Sequence, residues 1–200
     1  MLRKSLLALS IASLSAIAPL TAEEKTKGTY FAGSIGTGQM NDIEFAANLG
    51  GGTAAFKPGF SGEIGVGYDF GNLRTEFTYN STTTALTGAA DVDVDVNSFL
   101  LSAAYDWRSD KKWQPYLSAG VGSSTIDINL GTTVGGTTVT AGDDNITTVK
   151  LKAGVNYEAS KNIDVYGELW SQGFDDFTIG LIQFTDVSVS GVSLGVRVKL

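Results

Sequence analysis

The chain has 200 residues with 14 basic and 21 acidic side chains, a formal charge of −7, and neither histidine nor cysteine. An acidic chain without cysteine lacks the basic surface that nucleic acid requires, and it cannot form disulfides or thiolate metal sites. No nucleic-acid partner and no cofactor are therefore expected. The 25 glycines, together with abundant Thr, Ser and Val, favour an all-β fold.

The N-terminus has the pattern of a secretory signal peptide. Arg3 and Lys4 precede an apolar stretch over residues 5–18, and Ala22 stands just before two glutamates. This order predicts a cleavable signal peptide over residues 1–22, because the stretch is too short for a membrane helix of roughly 20 apolar residues. A short extension, residues 23–28, and one β domain, residues 29–200, are expected to follow. These parts hold 12 basic and 21 acidic residues.

Alternating apolar and polar residues predict eight strands along this domain. The strands cover Thr29–Gly38, Gly59–Phe70, Asn72–Asn80, Asn97–Trp107, Pro115–Ile126, Thr147–Tyr157, Ile163–Gln172 and Ser188–Leu200. Ten strands would require a further hairpin within Gln39–Pro58 or Asp127–Ile146.

The predicted connections alternate strictly between long and short. The long ones cover residues 39–58, 81–96, 127–146 and 173–187, and short turns separate them. In an up-and-down antiparallel sheet, all long loops then lie at one end and both termini at the other. Transmembrane barrels have this layout, with short periplasmic turns and long extracellular loops. The sequence therefore predicts an eight-stranded antiparallel up-and-down transmembrane β-barrel.

One face of most predicted strands is apolar, and its aromatic residues lie near the strand ends. The aromatic residues beside the short turns are Tyr68, Phe70, Tyr105, Trp107 and Tyr157. Those near the long loops are Phe60, Tyr79 and Phe99. Two aromatic belts with aliphatic residues between them are typical of a lipid-facing surface. We therefore expect outer-membrane lipid to contact this face.

The opposite face is expected to fill the barrel interior. Its charged residues are Glu63, Glu76, Glu168, Arg74, Lys150, Lys152 and Arg197. Unpaired charges are costly in a narrow interior, and eight strands leave room only for side chains. We therefore expect an ion-paired plug. A catalytic Ser–Lys pair that uses Lys150 or Lys152 is a weaker interpretation, and no catalytic, cofactor-binding or metal-binding residue is assigned.

Two valine runs break the alternation of the predicted strands. Val94 and Val96 are out of step with Phe99, and Val189 is out of step with Val192. We expect the first break where the strand leaves the membrane. A β-bulge at Gly191 is expected to explain the second.

The predicted long loops are strongly acidic. Their only base is Lys57, and their acids are Asp42, Glu44, Asp91, Asp93, Asp95, Asp127, Asp143, Asp144, Asp175, Asp176 and Asp186. Asp91, Asp93 and Asp95 should project from one face of an extended segment, at about 7 Å spacing. A solvated acidic surface is the simplest interpretation. A second is that divalent cations accumulate there and bridge to anionic glycolipid or to neighbouring surfaces.

Four glycine-containing segments, in this order, resemble parts of a known family. They are Tyr30–Gly36, Gly65–Phe70, Pro115–Gly122 and Gly191–Arg197. Over residues 29–200 the chain resembles the small outer-membrane barrels, a family that includes the opacity proteins, OmpX and the OmpA membrane domain. The resemblance implies a bacterial outer-membrane location and insertion by the barrel-assembly machinery. That machinery reads an aromatic residue at the end of the family's last strand, where this chain has Leu200.

The absence of histidine bears on the function that this resemblance implies. Several barrel enzymes of the outer membrane depend on an active-site histidine, which this sequence lacks. We therefore expect a non-enzymatic surface protein of the envelope-structural or adhesion type, with an extracellular partner that the sequence does not identify. Two alternatives stay open: a narrow channel, and a secreted soluble ligand-binding barrel whose apolar face points inward.

Overall fold

A computed structural model describes residues 27–45, 52–88, 92–108, 111–130, 138–140, 145–179 and 182–200. Its eight long strands are Gly28–Met40 (β1), Gly59–Asp69 (β2), Leu73–Leu86 (β3), Val92–Asp106 (β4), Trp113–Leu130 (β5), Ile146–Glu158 (β6), Ile163–Phe174 (β7) and Ser188–Lys199 (β8). The predicted signal peptide, residues 1–22, lies outside the described residues and stays a prediction. Within the described part, no helix is long and apolar enough to cross a membrane.

The eight strands close into a barrel. Each strand pairs antiparallel with the next one along the chain, and β8 pairs antiparallel with β1. The closing register runs without interruption from Tyr30 opposite Lys199 to Met40 opposite Val189. Because the first and last strands are paired, the barrel wall has no free edge. The predicted eight-stranded up-and-down topology is confirmed.

Several short strands lie at the end of the barrel that carries the long connections. Ile43–Phe45 pairs with Gly52–Ala54, and Phe177–Ile179 pairs with Ile182–Phe184, each pair forming its own two-stranded sheet. Phe56–Lys57 adds to β3, and Thr138–Thr140 adds to β5. A hairpin therefore does lie within residues 39–58, but it stays outside the barrel wall, so the ten-stranded alternative is wrong.

The outward face of the barrel is apolar and the inward face is mainly polar over most of its height. Outward residues such as Leu101 and Leu194 are 63% and 69% exposed. Aromatic rings meet at the short-turn end, where the centroids of Trp113 and Tyr157 lie 4.7 Å apart, and at the other end, where Tyr79 and Phe99 lie 5.0 Å apart. The apolar face with its two groups of aromatic residues points outward, as predicted, and its contact with lipid stays a prediction. A soluble barrel with its apolar face inward is wrong.

Strands β3, β4 and β5 run well beyond the predicted membrane boundary. The predicted loop over residues 81–96 is wrong, because β3 continues to Leu86 and β4 already begins at Val92. Strand β5 has 18 residues, whereas a membrane strand needs about 9–11. The prediction ended these strands where the outward apolar residues stop. At that point the strands leave the lipid but keep their ladder.

Candidate functional site

A charged network fills the half of the interior nearest the short turns. Arg74 donates to both oxygens of Asp106, with Nε–Oδ2 and Nη2–Oδ1 distances of 2.7 and 3.1 Å. Asn156 donates to the same carboxylate at 3.1 Å and accepts from Arg197 at 3.0 Å. The Arg197 guanidinium also lies 5.1 Å from the centroid of the Tyr30 ring. Buried charges here are therefore shared among several partners, as a low-dielectric interior requires.

A second group of charges occupies the middle of the interior. Lys150 Nζ lies 2.8 Å from a Glu63 oxygen, and Lys152 forms an ion pair with the other Glu63 oxygen. Lys152 also lies 3.6 Å from Glu168, and the Lys150 ammonium lies 4.5 Å from the centroid of the Trp170 ring. Because carboxylates hold both ammonium groups, ion-paired filling is favoured over a catalytic Ser–Lys pair.

All seven charged residues predicted for the interior face it, and five further charged residues lie there as well. The interior also holds Asp69, Asp106, Arg108, Asp164 and Lys199. Strand parity could have identified Asp69, which lies six residues after Glu63 on the same face. These five residues lie at strand ends, where the alternating pattern is shortest and the boundary is least certain.

The charged network leaves almost no free space. Its remaining cavity measures about 10 Å³ and is lined by residues that include Arg74, Tyr116, Lys152 and Glu168. A single water molecule needs about 10–15 Å³. The described side chains at this level therefore leave room for about one water, and the predicted plug is confirmed.

Trp170 closes the charged network on the long-loop side. Its Nε1 donates to Ser193 Oγ at 2.9 Å, and its ring lies over the backbone of two facing glycines, Gly38 and Gly191. A Cβ at Gly191 would come within 2.5 Å of the ring and 2.1 Å of the Thr37 carbonyl oxygen. The indole therefore needs glycine beneath it, and it forms a shelf across the interior.

Above this shelf the interior is mainly apolar, although Thr84, Thr148 and Gln172 are also buried there. Val96 and Val189 are each only 1% exposed. The buried cluster consists of Met40, Phe56, Val94, Val96, Ile126, Ile146, Trp170, Phe174, Phe177, Val187 and Val189. We call the part of the molecule that encloses this cluster the extracellular extension, because the long connections of a barrel of this kind are expected to face outward. It has a hydrophobic core of its own, against which the described parts of the long connections pack.

The two valine runs that break the sequence alternation belong to this core. The β4 register is continuous from Ala85 opposite Asp93 to Leu73 opposite Tyr105, and Val94 and Val96 point inward. The predicted bulge at Gly191 is wrong, because Gly191 pairs with Gly38 and its neighbours follow in unbroken register. The strands do not slip; the apolar residues change sides where the outer environment changes from lipid to water.

The outer surface of the extension is acidic. Asp93 is exposed and Asp95 is half-buried on the same outward face of β4, as predicted, while Asp91 lies outside the described residues. Asp95 accepts hydrogen bonds from Thr83 Oγ1 and Asn129 Nδ2, both at 2.6 Å. In the strand register it lies directly opposite Asp127 on β5. Among the described residues, no three acidic side chains come close enough together to hold a metal ion.

Hydrogen bonds link two of the long connections to each other. Asn41 Oδ1 accepts from the Ser188 backbone N–H at 2.7 Å, and Asn41 Nδ2 donates to the Asp186 carbonyl at 3.2 Å. The Asn41 N–H also donates to the Ser188 carbonyl at 2.9 Å. These bonds link the segment after β1 to the segment before β8.

Comparison with known proteins places this architecture among membrane barrels. The sequence model of a family described as "Outer membrane protein beta-barrel domain" matches residues 5–199. No curated protein matches the sequence.

Several solved structures share the fold. Neisserial surface protein A (NspA) superposes with a TM-score of 0.67 at 23% identity, over 86% of this chain and 97% of that one. Ail, the attachment invasion locus protein of Yersinia pestis, gives 0.50 at 16% identity, over 86% and 99%. The outer membrane protein OprG of Pseudomonas aeruginosa gives 0.54 at 11% identity, over 88% and 98%. At these identities, the likeness is one of fold.

Proposed function

Since the chain belongs to the outer-membrane protein β-barrel family, we propose that it is a non-enzymatic surface protein of the bacterial outer membrane with a recognition surface on its extracellular extension. The observation that carries this proposal is an acidic extension with its own hydrophobic core, built on a filled barrel. On such scaffolds the outer segments carry the function and the barrel holds them in place.

The filled interior argues against the alternative of a narrow channel. The two carboxylate–lysine and carboxylate–arginine groups occupy the middle and lower interior, and Trp170 covers them. We expect planar-bilayer recordings of the purified protein to show no conductance steps above leak. Reproducible single-channel steps would contradict the proposal.

The charge of the extension indicates which partners it selects. Exposed acids include Asp42, Asp93, Asp175, Asp176 and Asp186. Ail has been solved in complex with a heparin analogue, sucrose octasulfate, but the present surface would repel such a sulfated polyanion. We therefore infer a cationic partner, or an anionic partner reached through bridging cations.

Bridging by divalent cations is the second part of this proposal. Because the described acids form no cluster of metal-ligand geometry, we expect diffuse accumulation along the acidic face instead of a single tight site. Calcium titration by calorimetry should give weak, salt-sensitive heats. Unchanged heats after Asp91, Asp93 and Asp95 are all replaced by Asn would remove this segment from the proposal.

Binding measurements on the protein in lipid nanodiscs test the choice of partner. We expect an immobilised lysine-rich peptide to bind, with an affinity that falls as salt rises, and sucrose octasulfate not to bind. Asp93→Asn combined with Asp175→Asn and Asp176→Asn should weaken peptide binding several-fold. The control Glu158→Gln, which neutralises an acid at the opposite end of the barrel, should leave it unchanged. Binding of the sulfated sugar, or equal effects of both variants, would contradict the proposal.

A further inference from the structure

The extracellular extension contains a partly open apolar cavity that the proposed surface recognition does not use. Its volume is about 140 Å³, and all of its lining residues are apolar. They include Met40, Phe56, Val94, Ile126, Phe177 and Phe184. The cavity belongs to the core cluster above Trp170 and is separate from the charged plug.

The size and lining of this cavity restrict what can fill it. A buried water needs two to four polar partners, and cavities lined only by apolar side chains stay dry. A dry cavity of about 150 Å³ lined by apolar side chains accommodates a benzene molecule. We propose that this cavity binds a hydrocarbon group of about six carbons, either a free small hydrocarbon or the end of an acyl chain.

Two small hairpins provide the outer wall of the cavity. Ile43 and Ala54 come from the first hairpin, and Phe177 and Phe184 come from the second, with ring centroids 5.3 Å apart. Each hairpin forms its own two-stranded sheet, and an isolated hairpin is only marginally stable. Apolar side chains therefore hold the hairpins over the cavity, and opening at this wall gives a hydrocarbon a route from outside.

The residues beneath the cavity prevent a bound hydrocarbon from passing through the barrel. Below the cavity lie the Trp170 shelf and the ion pairs of Lys150 and Lys152 with Glu63. An apolar group has no favourable position among these charges. The bound hydrocarbon is therefore retained at the outer end of the barrel.

Methyl NMR on the protein in lipid nanodiscs tests this proposal, since isoleucines lie both in the cavity and on the lipid face. We expect toluene to shift the Ile126 and Ile128 δ1-methyl signals along a saturable curve. The Ile35 and Ile64 methyls, which face lipid, should drift linearly as toluene dissolves in the bilayer. A second titration with sodium octanoate separates the two sources: saturation shows that the wall admits an acyl chain, whereas saturation with toluene alone assigns the cavity to a free small hydrocarbon.

Filling the cavity provides the matched control. Ala54→Phe places a ring in the cavity wall, and Ala103→Phe makes the same change on the lipid face of β4. We expect Ala54→Phe to weaken the saturable response at least tenfold and Ala103→Phe to leave it unchanged. Ile128→Phe repeats the test from a barrel strand, in case the first hairpin does not tolerate a larger residue.

Two results would overturn the proposal: linear shifts at all methyls for both ligands, or a saturable response that survives both Ala54→Phe and Ile128→Phe. Heat-modifiable gel migration verifies that each variant is folded. Neutralising Asp93, Asp175 and Asp176 leaves the cavity untouched, so failure here and failure of the proposed surface recognition are distinguishable.

Discussion

Along strand β4, Leu101 faces lipid and Ser102 faces the interior, whereas eight residues earlier Asp93 faces water and Val94 faces the interior. The same ladder thus carries two opposite polarity patterns. In the membrane, lipid solvates apolar side chains outside, so the polar ones are collected and paired inside. Above the membrane, water surrounds the strands and the ordinary rule of an apolar core returns. The comparison shows that the period of a strand pattern is set by the backbone, and its phase by the solvent outside.

The largest effect is expected in the charged interior. Glu63→Leu removes the carboxylate shared by Lys150 and Lys152 and leaves both ammonium groups without their main partner. Loss of one member of a buried ion pair costs about 3–5 kcal/mol of unfolding free energy. Urea unfolding in lipid vesicles, followed by gel mobility, measures this loss.

A compensated variant serves as the control for Glu63→Leu. Adding Lys150→Met and Lys152→Met removes the unpaired charges, and apolar replacement of a buried ionic group is often close to neutral. Recovery of most of the lost stability is therefore expected. If Glu63→Leu alone unfolds at the wild-type urea concentration, the interior charges are not coupled as described.

Lysine scanning along one face of β4 compares the two regions directly. Leu101→Lys places a charge in the lipid, where it costs about 2–4 kcal/mol near the membrane midplane. Asp93→Lys, on the same face but above the membrane, should change stability by less than about 0.5 kcal/mol. Vesicle unfolding of the two variants gives both numbers. Equal costs would place residue 93 in lipid and contradict the proposed boundary.

Between the charged interior and the extension, the Trp170 indole should tolerate no side chain at the glycines that it contacts. At Gly191 an added Cβ would meet the Trp170 ring and the Thr37 carbonyl, whereas at Gly173 it would meet nothing within 4 Å. Overpacking typically costs 1–3 kcal/mol, so about that loss is expected for Gly191→Ala and almost none for Gly173→Ala. Similar unfolding curves for both variants would show that the shelf is not tightly packed.

Sequence alone predicted the membrane-embedded barrel far better than the extension. Outward residues such as Phe77 and Leu101 are visible as an alternating apolar pattern, since lipid demands it on every strand. The extension was missed because the pattern changes phase there, so Val94 and Val96 looked like a slipped strand.

The packing of aromatic residues against glycine could not be predicted for a different reason. Trp170 shares a face with Glu168, so its inward direction was readable from parity. Its contact with Gly38 and Gly191 depends on the register among three strands, which the sequence of a single strand does not specify. The apolar cavity likewise depends on how two hairpins fold over the barrel.

Single-cysteine labelling across β4 tests the change of polarity most directly, because the chain has no cysteine of its own. A membrane-impermeant maleimide is applied to cells that display Asp93→Cys, Val94→Cys, Asp95→Cys or Val96→Cys. The structure predicts an alternating result: fast labelling at the exposed position 93, slower labelling at the half-buried position 95, and protection at 94 and 96, where the side chains lie in the core. Equal labelling at all four positions would show that this segment is a solvated loop without a core, and would contradict the account.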